Sequence, residues 1–204
     1  MPLMSTEPAS PDLYASEDFW EEHKGKILLY GSVLLIALAG FGIYEFKRQT
    51  TLAKSQAAYA EASTVETLQA VTKDFPGTNP AGNAALEAAN KLRAEGKYDE
   101  AATLLRDFIA KYPEHPLAPG GWLSLGATQE LQLKTDDAIE TYQQTAAKFP
   151  ESYAAPAALV AQARLLAAKG NKEGAARLYE DIAARFPESL YAREALREAQ
   201  LLKR

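Results

Sequence analysis

Two histidines, His23 and His115, and no cysteine are all the imidazole and thiol chemistry that this 204-residue chain can offer. Without cysteine, a disulfide framework, a thiolate metal site and a cysteine nucleophile are excluded. His23 adjoins a long apolar run and His115 lies in the turn Glu114-His115-Pro116; neither stands at metal-ligand spacing or near a nucleophile, so both are expected at the surface. Gly40-Phe41-Gly42 is not G-x-G-x-x-G and follows no strand, which leaves no case for a nucleotide loop. The carboxylates are scattered along helix-forming stretches, as on solvated faces. The expectation is a chain with no catalytic residue, no cofactor and no metal. Its net charge of -5 is uneven: residues 1–26 carry six acids against Lys24 and Lys26, so the remainder is nearly neutral and presents no basic face for nucleic acid.

What the spacing does organise is packing. Phe75-Pro76, Tyr112-Pro113, Phe149-Pro150 and Phe186-Pro187 stand 37 residues apart, the mark of an internal repeat whose units share one continuous core. In the same phase recur Ala81, Ala118, Ala155 and Ala192, then Ala84, Gly121, Ala158 and Ala195, and, before each closing proline, Ala101, Ala138 and Ala175. Ala101, Leu104, Leu105, Phe108 and Ile109 form one helical stripe, repeated by Ala175, Leu178, Tyr179, Ile182 and Ala183. Each unit therefore reads as two antiparallel helices. Gly96 and Gly170 suit a left-handed end to the first helix, acidic residues the start of the second, and proline its stop. Bulky side chains should fill the gaps that the small ones leave.

Ahead of the repeats, Ile27 to Tyr44 runs 18 residues without a charge, roughly 27 Å as a helix and close to a bilayer's hydrocarbon thickness. Lys24 and Lys26 flank one end and Lys47 and Arg48 the other, with Trp20, Tyr30 and Tyr44 at interfacial depth. A single transmembrane helix is expected. Two other readings compete. A buried core helix would normally show a polar stripe, which this run lacks. A cleavable signal peptide is suggested by Ala37-Leu38-Ala39 before Gly40; against it stand an acidic leader and an apolar run that continues through Tyr44. Two basic residues on the amino side and three on the carboxyl side leave orientation undecided. The run has no pair of small residues four apart, so no helix-dimer motif is implied. The expected organisation is a flexible acidic tail over 1–26, a membrane span over 27–44, a juxtamembrane helix over 45–62 and an all-α repeat domain over 63–204. Its units end at Pro76, Pro113, Pro150 and Pro187, followed by a capping helix.

Trp122-x-x-Leu125-Gly126, with Ala138, Tyr142 and Pro150 following, resembles the tetratricopeptide repeat family in identity and spacing. The flanking units, with Ala101, Leu105 and Pro113, and with Ala175, Tyr179 and Pro187, resemble it more loosely. The departures are three extra residues after each proline, which should lengthen the first helix or its entry turn, Thr141 and Thr145 at core-facing positions, and Leu133 where the inter-helix glycine would stand. With the stretch Trp20-Glu21-Glu22-His23-Lys24-Gly25-Lys26 ahead of the apolar helix, the chain also resembles the bacterial YfgM-like ancillary translocon subunits. The repeats themselves are similar to those of YbgF-like envelope proteins and outer-membrane assembly lipoproteins.

The first resemblance implies a single-pass inner-membrane protein with a periplasmic repeat domain that binds proteins near the export channel and its chaperones. The second implies a released periplasmic protein of envelope assembly or division. Either way the partners are proteins, with no small-molecule substrate. By family analogy the groove of the first helices is lined by Asn83, Leu86, Asn90 and Arg93, then Leu123, Ala127 and Glu130, then Val160 and Arg164, then Arg197. Of the residues that would clamp a peptide's terminal carboxylate only Asn90 fits, so a helix or extended segment is the expected occupant.

Overall fold

The computed structural model describes residues 13–204, with side chains from Phe19 onward. Those residues form α1 (Leu13–Glu61), α2 (Val65–Asp74), α3 (Asn79–Ala94), α4 (Tyr98–Lys111), α5 (Ala118–Leu131), α6 (Thr135–Lys148), α7 (Ala154–Ala168), α8 (Lys172–Arg185) and α9 (Ala192–Leu202), with no strand among them. The chain divides into two compact units, one ending at Thr51 and one running Leu52–Arg204.

The first unit is helical from Leu13. The flexible tail expected over 1–26 is therefore corrected for residues 13–26; residues 1–12 lie outside the described residues. Once a helix is nucleated in the apolar run it extends one bond per residue, and the Lys24–Glu21 pair at 2.6 Å supports the extension. The most apolar 18-residue window has a mean hydropathy of 2.1 and none of it is buried, so the helix is long and apolar enough to cross a membrane and is not a core helix of this chain. The hydroxyls of Ser32 and Thr50 donate back to the carbonyls of Leu29 and Phe46, each at 2.8 Å, which satisfies them within the helix.

In the second unit each helix from α2 to α9 packs against the next, and α5 also meets α7. The helix ends follow directly from the periodic residues. Phe75, Tyr112, Phe149 and Phe186 are the C-caps of α2, α4, α6 and α8, with φ of -126° to -129° and ψ of 51° to 56°. That geometry is what a residue before proline takes when its ring neighbour disfavours the helical basin. The three extra residues form an entry turn and not a longer first helix. His115, Ser152 and Ser189 donate their amides to the carbonyls of Tyr112, Phe149 and Phe186 at 3.0–3.1 Å.

The opposite turns close α3, α5 and α7. Lys97 N–H reaches Leu92 O, Lys134 N–H reaches Gln129 O and Asn171 N–H reaches Leu166 O, all at 2.9 Å, each over a residue with positive φ. Gly96 (77°) and Gly170 (86°) take that conformation freely, but the middle unit forces it on Leu133 (60°).

The core is a row of alternating small and large residues. The three alanine columns expected from the sequence are buried almost without exception, and Leu68, Leu105, Tyr142 and Tyr179 form a further buried column in the same phase. Where a glycine replaces alanine, the reason is steric. A Cβ at Gly121 would lie 2.5 Å from the Phe108 ring, and one at Gly126 would lie 2.5 Å from the Tyr142 ring. Both rings are buried, so neither can give way. Burial of a side chain such as Phe108 contributes about 1.5–3 kcal/mol. Thr141 and Thr145 are buried as expected, and Thr145 Oγ1 donates to Thr141 O at 2.7 Å, so the hydroxyl carries its partner into the core.

Two expectations need correction. His115 is buried and not a surface residue: its ring packs edge-on against Phe108 and Tyr112. Leu117 N–H donates to Nδ1 at 3.0 Å, so Nε2 carries the proton and donates to Asn79 O at 3.1 Å, tying one entry turn to the previous one. The start of the repeat packing also shifts, while the juxtamembrane helix continues the apolar one without a break. Ala58, Tyr59 and Ala62, at the end of α1, pack on the core cluster of α2 to α4, so the repeat packing begins before residue 63.

Leu133 is 88% exposed and contributes little by contact, while its left-handed backbone carries a cost. Leu133→Gly is expected to stabilise the protein by about 1 kcal/mol, read as a higher urea midpoint with unchanged slope, whereas Leu133→Ala, which keeps the Cβ, should bring no such gain.

Candidate protein-binding groove

The first helices α3, α5, α7 and α9 carry the residues expected to line a groove, and the structure sorts these into two kinds. Leu86, Leu123 and Val160, in phase at 37, are half-buried and lie against the core clusters. Leu86 Cδ2 stands 3.3 Å from where a Cβ at Gly121 would be, which makes it a wedge between units. Asn83, Arg93 and Ala127 are half-buried, while Asn90, Arg164 and Arg197 are exposed. Of the framework residues, Leu125, Gly126, Ala101, Ala138 and Ala175 are buried, Trp122 is half-buried under Lys148 Nζ at 5.3 Å, and Pro113, Pro150 and Pro187 are exposed in the turns.

One polar network joins two of these helices, α5 and α7, to the second helix α6. Tyr142, buried on α6, donates its hydroxyl to Glu130 Oε1 on α5 at 2.6 Å. Arg164 of α7 donates Nη2 to both oxygens of Glu130, at 2.9 and 2.6 Å. Two expected groove residues are thus partners of one another, 34 positions apart, one turn short of the repeat. Tyr142, which holds the carboxylate from below, was read from the sequence only as a packing residue.

Burial above all, then the bond and charge of Glu130, push the Tyr142 hydroxyl well above its ordinary pKa of 10.0, against the opposing pull of Arg164 and Arg93. Tyr179 is raised too, first by burial and then by Glu198. The charges acting on these two hydroxyls are Arg93 and Arg164, which lower them, and Glu130, Glu194 and Glu198, which raise them.

A second set of contacts was not foreseen. Gln132 Nε2 donates to Asp99 Oδ1 at 2.6 Å, and Lys169 pairs with Asp136. Each pair spans 33 positions, and the second is the first shifted by 37. The residue capping a first helix thus grips the acidic first turn of the preceding second helix. The spacing was present in the sequence, but only the tight turn at Leu133 and Gly170 makes the reach visible. Among the described residues no three His, Asp or Glu side chains gather as a metal site.

A row of helical hairpins with an inter-unit core and a polar strip along its first helices is a repeat scaffold for binding other proteins. The tetratricopeptide repeat profile matches residues 86–153 and again 132–189, together just over half of the sequence. The chain belongs to the tetratricopeptide repeat family. No curated protein sequence matches it.

Among solved structures it is similar to a tetratricopeptide repeat protein from Parabacteroides merdae (16% identity, 76% of this chain and 59% of that one, TM-score 0.56). It is also similar to the nearly identical TPR-like repeats of a putative kinesin light chain from Podosopora anserina (19% identity, 77% and 91% covered, TM-score 0.53). A third neighbour is a chain of a T3SS complex from Aeromonas hydrophila (18% identity, 72% and 93% covered, TM-score 0.52). At these identities the likeness is one of fold.

Removing Glu130 or Arg164 should have unequal consequences. Glu130→Ala leaves the buried Tyr142 hydroxyl without its acceptor and is expected to cost about 1–3 kcal/mol. Arg164→Ala loses the exposed member of the pair and should cost at most about 1 kcal/mol. Urea denaturation of both variants checks the difference.

The tyrosine shifts also carry a sign. An upward shift means that the fold selects the neutral phenol, so this stabilisation is complete below pH 10.0 and is lost as pH rises beyond it. Denaturant midpoints should fall above that pH, and Tyr142→Phe should make the fall shallower.

Proposed function

We propose that this is a membrane-anchored, non-enzymatic scaffold for protein–protein interaction. Residues 27–44 are its single span, and the repeat domain lies outside the cytoplasm, in the bacterial periplasm. There it serves the protein-export channel or the handover of exported chains to periplasmic chaperones. The observation that carries the reading is an uncovered helix of span length and hydropathy leading directly into a tetratricopeptide repeat domain. Basic residues flank the apolar run on both sides and aromatic residues sit at its ends, as in an anchor. The placement relative to the export channel rests on the resemblance of residues 20–26 and of the domain order to the YfgM-like family.

The partner surface in this reading is the strip formed by Asn83, Asn90, Arg93, Glu130, Arg164 and Arg197, flanked by Leu86, Leu123 and Val160. A mixed strip of this kind suits a helix or an extended segment that brings both apolar side chains and charges. The Glu130–Arg164 pair is the element a charged partner would have to open or extend.

A second reading has its own observation. Ala37-Leu38-Ala39 precedes Gly40 as a small-x-small cleavage site would. Cleavage there would release a periplasmic repeat protein of envelope assembly or division.

Protease protection in spheroplasts tests the topology. The repeat domain is expected to be digested when protease is added outside and to remain with the membrane fraction in untreated cells. Protection until lysis would place it in the cytoplasm and end the export reading. A native mass lacking residues 1–39 would replace the anchored reading with the released one. Crosslinkers introduced at Arg93, Leu123 and Arg164 should capture export-channel or chaperone subunits.

A further inference from the structure

One place in the repeat changes size from unit to unit. Ala85, Trp122, Leu159 and Leu196 stand 37 positions apart on α3, α5, α7 and α9, so three of the first helices supply a large side chain there and one supplies a methyl group. Where the methyl group stands there is a cavity. It measures about 280 Å³ and opens between α2 and α4, lined by Thr72 and Lys73 of α2, Ala85 of α3, and Leu104, Phe108 and Lys111 of α4 among others. Leu104 and Phe108 are larger than Thr141 and Thr145, which take their places one unit later, and still do not close it.

The next unit shows what fits. There Trp122 takes the place of Ala85 and Lys148 the place of Lys111, with the Lys148 ammonium 5.3 Å from the centre of the Trp122 ring. A cation at that distance over a ring is attracted by its electron-rich face, and tryptophan is the strongest partner of the three aromatic residues. In the first unit the ammonium is present and the ring is not. Lys111 Nζ is held at 3.0 Å from Asp107 Oδ2, and Lys73 adds a second cation against that one carboxylate, so the lining is net positive and complements the negative face of a ring. The Thr72 hydroxyl already has its acceptors in the carbonyls of Leu68 and Ala81, each at 3.2 Å, and makes no polar demand on an occupant.

We propose that this cavity receives one aromatic side chain, tryptophan above all, from a partner polypeptide, which completes from outside the packing that Trp122 completes from within the chain. At about 280 Å³ it falls below the roughly 300–1,000 Å³ of sites that enclose a free small molecule, and suits one side chain whose backbone stays outside. A desolvated aromatic anchor of this kind carries a large share of the affinity in many protein interfaces. Asn83, Leu86, Asn90 and Arg93 do not line the cavity, so it is a second binding surface, set between second helices and separate from the strip along the first ones. It depends on the repeat domain alone, whatever residues 27–44 do.

The full-length protein in detergent micelles, with its leucine methyl groups labelled with carbon-13, is titrated with a blocked Gly-Trp-Gly tripeptide. The expected result is a saturable ring-current shift of the Leu104 methyl groups, with no response to Gly-Leu-Gly at the same concentration. Lys111→Ala should weaken the tripeptide several-fold and leave the leucines of α7 and α9 unmoved. Ala85→Trp fills the cavity from within and should abolish the shift, its fold checked by the same remote leucines. A Leu104 shift that persists in folded Ala85→Trp overturns the proposal, as does an equal response to Gly-Leu-Gly or no response to either peptide. Should Ala85→Trp fail to fold, Lys111→Ala decides, and unchanged affinity there overturns the proposal. Binding of N-acetyl-tryptophanamide without binding of the tripeptide also overturns it, because the cavity would then serve a free aromatic solute and not a polypeptide.

Discussion

Neighbouring helices in the repeat domain approach one another only as closely as alanine and glycine permit, and every other feature is arranged around that distance. At Gly121 and Gly126 the clearance is at its limit: the rings of Phe108 and Tyr142 occupy the space a Cβ would need. Packing at this density makes each bulky side chain specific to one neighbour, because a ring displaced from its gap has no second place to go. The result is a set of helical hairpins whose relative positions are decided at each interface and then repeated. Three devices hold the ends of those hairpins in place: the aromatic C-cap before proline, the entry turn after it and the left-handed turn between the two helices.

This close approach brings polar groups into places where they must be paired. Tyr142 fills its gap with its ring and then has a hydroxyl to satisfy, which Glu130 does at 2.6 Å. Glu130 in turn is held by Arg164 from the next first helix. A packing residue, a carboxylate and a surface guanidinium become one chain of bonds from the core to the groove. His115 works similarly at the other edge, using both ring nitrogens to join an entry turn to the one before it. In each place the ionisable group connects units that hydrophobic packing alone would leave less well registered.

Both edges of the repeat domain mix charged and exposed apolar side chains. Ion pairs and acidic helix starts crowd the edge of tight turns, where Leu133 also stands exposed, and the edge of entry loops exposes Tyr153 and Leu190. The strip along the first helices lies between them and mixes both characters.

Much of this was legible in the sequence. The period, the two helices per unit, the stop at each aromatic–proline pair, the buried alanine columns and the exposed apolar helix are all local or periodic properties, and chain stiffness and hydrophobic spacing express them directly. The sequence also marked Leu133 as out of place, since a β-carbon in a left-handed turn is a local matter. What it could not reveal depended on which residues meet across units. His115 reads as a surface histidine until Phe108 and Asn79 close over it, and Leu86 reads as a groove residue until Gly121 draws it between units. Glu130 and Arg164 read as two separate groove charges until the offset of one helical turn between α5 and α7 joins them. The end of α1 reads as a juxtamembrane helix outside the repeats until α2 and α3 give it something to pack on. A periodic sequence determines the unit because each unit's backbone preferences are its own. Only the stacked structure decides the contacts between units, because they depend on distances that no single unit contains.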